Sequence, residues 1–164
     1  MTDKVFVDNE EVYGRDQLRR ELQEFLRVED LLVIPKEPLE EFGHADGVVR
    51  FLDERTIVIN DYSEVNPSYR RRLTSTLRRA RLKVLEVPYA PREGNAGDVP
   101  PATGCYVNFL WADDLLVVPA YGIEEDERAF RALEKVVPAS MAAQVDCREV
   151  TDWGGSLHCF TWQA

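Results

Sequence analysis

Residues 48–88 read VVRFLDERTIVINDYSEVNPSYRRRLTSTLRRARLKVLEVP, and the order of elements in this stretch decides the fold. Val48 to Leu52 and Thr56 to Asn60 are short apolar runs on either side of the polar Asp53-Glu54-Arg55, the pattern of two paired strands joined by a turn. Asn66 followed by Pro67 marks a helix start. The asparagine side chain can cap an orphan backbone N–H, and proline lacks an N–H at the position where none is needed. Tyr69, Leu73 and Leu77 then recur at helical spacing, and Leu82 to Pro88 returns to a strand. The segment predicts strand, strand, helix, strand.

The same order recurs downstream. Tyr106 to Trp111, a turn around Ala112-Asp113, Leu115 to Pro119, a helix from about Glu124 to Val137 and a strand from about Ala142 to Cys147 repeat it. Phe51 and Phe109, Val58 and Leu116, Asn66 and Glu124, and Val87 and Val145 all lie 58 residues apart. A fixed offset of this size is the mark of an internal repeat. Upstream, Val5-Phe6-Val7 and Leu31 to Ile34 read as strands around a helix from Asp16 to Val28, with Asp16 as its N-cap and Leu18, Leu22, Phe25 and Leu26 as its apolar face. Pro88 to Thr103, rich in proline and glycine, reads as a surface loop, and Leu157 to Trp162 as a short closing strand. The prediction is one mixed α/β (α+β) domain over 1–164: a partial unit over 1–46, full units over 47–103 and 104–150, and a closing strand within 151–164.

Composition bounds the function. A chain of 164 residues with 45% hydrophobic and 30% charged residues suits one globular domain. The net charge of −10 disfavours a nucleic-acid partner, whose phosphates demand lysine and arginine, and suits a small cation. No apolar run approaches the roughly 20 residues of a membrane span, and Met1-Thr2-Asp3-Lys4 does not open a signal peptide, so the expected compartment is the cytoplasm. Cys105, Cys147 and Cys159 form no disulfide framework and no zinc knuckle.

Three features carry chemistry. In Gly43-His44-Ala45-Asp46-Gly47 the spacing of two puts His44 and Asp46 on one face of an extended backbone, where they either serve one cavity or form a solvated strand entry. In Gly154-Gly155-Ser156-Leu157-His158-Cys159 the glycine pair requires an unusual backbone. On a strand His158 and Cys159 face opposite ways, so Cys159 is either a buried small hydrophobe or a thiol aimed at a site. Cys105 and Cys147 lack polar companions. The arginines at 70–72, 78, 79 and 81 fall mainly opposite the apolar stripe of their helix and read as a solvated face.

Taken together, Gly43-His44-Ala45-Asp46-Gly47 with Arg50-Phe51, Tyr106-Val107-Asn108-Phe109, Val117-Val118-Pro119 and Gly154 to Cys159 resemble the agmatine deiminase and bacterial peptidylarginine deiminase family. The resemblance implies a pentein fold, a β/α propeller of five strand-strand-helix-strand blades, of which this chain would hold about two and a half. It implies Cys159 as the nucleophile, His44 as general acid and base, Asp46 as a guanidinium ligand, and Asn108, Gly155 and Ser156 as further substrate contacts. No metal or organic cofactor is implied. The family's Trp-x-Arg-Asp stretch, which supplies another acidic ligand, does not occur here. The resemblance therefore implies a small cationic guanidino substrate and completion of the site by a homo-oligomer or a separate N-terminal chain. The alternative is a catalytically inactive fragment or interaction subunit of such an assembly.

Overall fold

The structure, a computed structural model, describes residues 1–92, 100–137 and 141–161. In chain order it contains α1 (Lys4–Asp8), α2 (Arg15–Leu26), β1 (Val49–Phe51), β2 (Thr56–Asn60), α3 (Pro67–Arg79), β3 (Lys83–Val87), β4 (Leu110–Ala112), β5 (Leu115–Ala120), α4 (Glu125–Val136) and β6 (Met141–Asp146). Two three-stranded sheets result, ordered β1-β2-β3 and β4-β5-β6. In each, the first two strands are antiparallel and the outer pair is parallel, joined by a helix. No helix among the described residues is long and apolar enough to cross a membrane.

The first unit follows its sequence closely. Asp53 accepts from the N–H groups of Arg55 and Thr56, both at 2.7 Å, and closes the hairpin. The Asn66 side chain accepts from Tyr69 N at 3.0 Å and caps α3. Tyr69, Leu73 and Leu77 are buried with Ile57 and Ile59 in one core cluster. Val58 lies between those two isoleucines and therefore points to the other face of the sheet. There it joins a second cluster with Phe109, Leu116, Val118, Ala129 and Leu133. The period of two along β2 thus packs its sheet on α3 with one face and on the second unit with the other. Outside the apolar stripe of α3, Arg71, Arg72, Arg78 and Arg79 are exposed, while Arg70 forms a two-pronged pair with Glu86 at 2.8 and 2.9 Å.

In the second unit the helix N-cap, Glu124, and the start of β6, Met141, keep the offset of 58 from Asn66 and Lys83. The first strand breaks it. Tyr106–Asn108 form a buried 3-10 turn and only Leu110–Ala112 are strand. The hairpin to β5 is also tighter, turning at Asp113 with φ 49°.

Four predictions at the chain ends are corrected. Val5-Phe6-Val7 belongs to helix α1, with the Phe6 ring covered by the guanidinium groups of Arg15 and Arg19; three apolar residues without a neighbouring strand do not specify extended backbone. Leu31 to Ile34 makes only an isolated bridge between Ile34 and Thr2 and is cut off by Pro35. The N-cap of α2 is Gly14, and Asp16 sits in the first turn. Residues 157–160 form turns closed locally, as by Phe160 N to Ser156 O at 3.2 Å, in place of the closing strand; position 162 lies outside the described residues.

Helix α2 buries only Leu18, and Phe25, expected on its apolar face, is 83% exposed. Replacing Leu116, fully buried between the units, by alanine is expected to cost roughly 2–5 kcal/mol in urea unfolding. Phe25→Ala is expected to stay within about 0.5 kcal/mol for the isolated chain. A cost for Phe25→Ala that matches Leu116→Ala would show instead that α2 is covered in solution.

Candidate active site

Three loops converge beside the first strands of the two sheets. Asp46 lies in the turn that enters β1, closed by Val48 and Val49 N–H groups on Ala45 O at 3.0 and 2.9 Å. Asn108 ends the 3-10 turn that precedes β4. Cys159 follows Gly154, which takes the left-handed conformation at φ 79°. Gly155 is required by close approach, since a Cβ there would stand 2.9 Å from the Cβ of Cys159 and 3.4 Å from its Sγ.

Asn108 fastens the thiol from two directions. Its Nδ2 donates to Cys159 Sγ at 3.0 Å, and its Oδ1 accepts from Cys159 N at 3.3 Å. Its backbone O also accepts from His158 N at 3.2 Å. The thiol in turn donates to Asp46 Oδ2 at 3.4 Å. Burial pushes the Cys159 thiol above its ordinary range and the Asp46 charge adds to this, while the Asn108 N–H and the Ser156 backbone oppose it. At rest the group is a thiol held against a carboxylate.

His44 and Asp46 do not lie on a strand, as the spacing of two suggested; the backbone bends between them. The bend places Asp46 against Cys159 and turns His44 to the rim, where its side chain is 66% exposed and stacked on Phe42. Glu40 holds this corner. Its carboxylate accepts from the N–H groups of Phe42, Gly43 and His44 and lies 3.4 Å from His44 Nδ1. Gly43, at φ 82°, is anchored from the N-terminus by Thr2 Oγ1 donating to its carbonyl at 2.6 Å.

His44, Asp46, Asn108 and Cys159 all line one cavity of about 120 Å³, whose wall also carries Glu37, Glu40 and Glu41. That volume is of the order of the ~150 Å³ that holds a benzene ring, so it admits a planar guanidinium. Gly155 and Ser156 stand behind Cys159 and are buried. His158 does not reach the wall, and burial and the Arg50 charge lower its pKa against an opposing pull from Asp46. Arg50 spans the two units, donating from Nη1 to Phe109 O at 2.9 Å with its guanidinium 4.8 Å from the Phe109 ring centre. Among the described residues no three His, Cys, Asp or Glu side chains converge as a metal site requires.

Sequence reasoning missed two residues of this wall. Cys105, set aside for lack of polar companions, donates to Gly47 O at 3.2 Å and lies 3.8 Å from Asn60 Nδ2; burial pushes its pKa up to about 12. Glu37 is a carboxylate only 7% exposed. Its signal was the rigid Pro35-Lys36-Glu37-Pro38 stretch, which denies the chain a helix or a ladder there.

The fold defines a class, and comparison with known proteins shows the family. Residues 1–164 match the model of the Porphyromonas-type peptidyl-arginine deiminases, and the chain belongs to that family. It is 29% identical over 178 residues to an agmatine deiminase of Stutzerimonas stutzeri, covering 92% of this chain and 48% of that protein. Among solved structures, the agmatine deiminase of C. jejuni superposes with a TM-score of 0.79 at 22% identity, over 97% of this chain and 49% of that one. That of Enterococcus faecalis gives 0.74 at 22%, over 89% and 47%. An inosamine-phosphate amidinotransferase from Streptomyces griseus shares the fold more distantly, with a TM-score of 0.53 at 23% identity over 89% of this chain and 39% of that one. The shared fold is that of the penteins, and the chain spans about half the length of the curated relatives it matches.

The geometry orders the three thiols. Iodoacetamide is expected to alkylate Cys159 before Cys105 and Cys147, at a rate that rises as pH approaches its elevated pKa. Asp46→Asn removes a charge that disfavours the thiolate and is expected to speed labelling of Cys159 at neutral pH. Peptide mapping reads both outcomes, and slower or unchanged labelling in the variant contradicts the assigned electrostatics.

Proposed function

We propose that the chain is the nucleophile-bearing half of a hydrolase that converts a guanidino compound such as agmatine to the ureido product and ammonia. The observation that carries this reading is the Cys159 thiol, positioned by Asn108 at 3.0 Å and set against Asp46 at 3.4 Å on the wall of a carboxylate-lined cavity. A substrate guanidinium in the cavity neutralises Asp46 through paired N–H contacts and brings a positive charge to the thiol. Both effects favour the thiolate that burial alone opposes. Substrate binding is thus the activating event.

The thiolate then adds to the guanidinium carbon. The bond to one terminal nitrogen breaks, and ammonia leaves with a proton supplied by His44, giving a covalent thiouronium on Cys159. His44 next takes a proton from water, which adds to the same carbon, and the C–S bond breaks to release the ureido product and the thiolate. Glu40, 3.4 Å from Nδ1, orients the ring for both transfers. The other contacts assigned to the substrate are Asn108 and the Gly155-Ser156 backbone. The sequence of steps uses neither metal nor organic cofactor.

The site is completed by a second polypeptide, either an N-terminal chain or another copy of this one, closing five blades. What supports this is apolar surface: Phe25 on α2, and Leu39, Phe42, Trp153 and Phe160 around the cavity rim, are all exposed, Trp153 by 79%. The second reading, a non-catalytic interaction subunit, is favoured by the outward position of His44 and the protonated state of the resting thiol.

Ureido product formed from agmatine, measured for the chain alone and with the N-terminal half of a relative, decides between the two. In the active setting Cys159→Ser is expected to lower turnover roughly 10³-fold or more. His44→Asn is expected to lower it by about 10²–10⁴-fold. Absence of cysteine-dependent product in both settings would sink the enzymatic reading.

A further inference from the structure

The arginines that the sequence leaves on the solvated face of α3 do not stand alone. With Arg15 and Arg19 of α2, Arg71, Arg72 and Arg79 line a groove of about 750 Å³ that also takes in residues 33–35. Ser75 adds a hydroxyl to the same wall. The groove shares no lining residue with the cavity that carries Cys159. Among the described residues, none of the five arginines stands within ion-pair distance of a carboxylate. Asp3, the one acidic residue among those described in the lining, accepts from Lys36 N at 2.8 Å. Five like charges are thus crowded into one groove of a chain whose net charge is −10, and their mutual repulsion is relieved when an anion lies among them.

The arginines are held in place by their neighbours. The Arg15 guanidinium lies 4.5 Å from the Phe6 ring centre and that of Arg19 5.9 Å, and Arg19 Nη1 donates to Leu31 O at 3.1 Å. On α3, the Arg72 guanidinium lies 5.8 Å from the Tyr69 ring centre, and Arg79 Nη2 donates to Thr76 Oγ1 at 3.3 Å. A guanidinium stacked on a ring keeps its N–H edge free, and that edge matches two oxygens of one phosphate. Stacking also removes part of the side-chain freedom that binding would otherwise cost.

Size and charge select the ligand. The volume falls within the roughly 300–1,000 Å³ of small-molecule sites. A long polyanion such as a nucleic acid would run out of the groove onto the surface of an acidic chain, where its phosphates meet like charge. A compact chain of phosphates places many acceptor oxygens and several negative charges in a small volume. We infer that the groove lined by α2 and α3 binds an oligophosphate, free or carried by a nucleoside, through Arg15 and Arg19 on one helix and Arg71, Arg72 and Arg79 on the other. The site stands whether or not the deiminase reading does.

Titration calorimetry on the full chain, in buffer free of divalent cations, tests this with inorganic triphosphate, ATP and tetraglutamate as probes. Triphosphate is expected to bind, and its Kd to rise at least about threefold when NaCl is raised from about 50 to about 300 mM. Arg71→Gln combined with Arg72→Gln is expected to weaken triphosphate at least about tenfold. Arg55→Gln combined with Arg128→Gln removes the same charge from exposed positions outside the groove and is expected to leave the Kd within about twofold. Both pairs replace exposed side chains, so their urea midpoints are expected to match that of the parent. An ATP affinity no higher than that of triphosphate assigns the site to the free phosphate chain, and a higher one to a nucleoside-borne chain. Tetraglutamate binding as tightly as triphosphate would make the groove a docking surface for an acidic peptide and overturn the proposal. Absence of triphosphate binding, or equal weakening by the two variant pairs, overturns it as well.

Discussion

The alternation of side chains along β2 is the constraint on which the rest depends. Ile57 and Ile59 are committed to the core under α3, so Val58 must face the other way and enter the core of the second unit. That docking brings the turn before β1 and the turn before β4 to the same edge. Asn60, the last residue of β2, then donates from Nδ2 to Gly47 O at 2.8 Å, tying the strand end to the turn that carries Asp46. Arg50 reaches across to Phe109 O from the other side. A slip of β2 by one residue would exchange its two faces and separate Asp46 from Asn108. The precision of the thiol site is therefore inherited from packing well away from it.

The electrostatics of the site are dominated by carboxylates. In a chain of net charge −10, Glu37, Glu40, Glu41 and Asp46 share one small cavity, and their effects on neighbouring groups are all in the direction of retained protons. Burial, with a smaller part from these charges, holds Glu37 up to about 6 and raises both Cys159 and Cys105. Thiol reactivity follows thiolate content, so the raised Cys159 is held in its less reactive form.

Much of this was legible in the sequence. The interior of the repeat was, because Thr56 to Asn60, Asn66-Pro67 and the Tyr69-Leu73-Leu77 stripe each satisfy a local rule that agrees with the tertiary structure. The chain ends were not: Val5-Phe6-Val7 and Leu157 onward are too short to carry a period, and what they form depends on partners elsewhere. In the site, spacing left Gly43 to Gly47 and Gly154 to Cys159 open, only the family resemblance joined them, and the extended geometry expected for His44 and Asp46 was wrong. A bend and not a strand brings Asp46 inward and leaves His44 at the rim. The stretch from Pro35 to Pro38 marked the backbone around Glu37 but not the burial of its side chain, and Cys105 had no signal, because burial is not written in spacing.

The exposed faces of α2 and of the cavity rim bear on assembly, and the thiol bears on chemistry; the second is the more direct question. Rapid acid quench of the chain mixed with agmatine, followed by intact-mass measurement and peptide mapping, reads the bond that the proposed mechanism forms. With an N-terminal half supplied if the chain alone is silent, an adduct with the mass of the substrate less ammonia is required, confined to the peptide containing Cys159. An adduct on Cys105 or Cys147, or ureido product accumulating with no adduct at any quench time and undiminished in Cys159→Ser, would contradict the assignment of Cys159 as nucleophile.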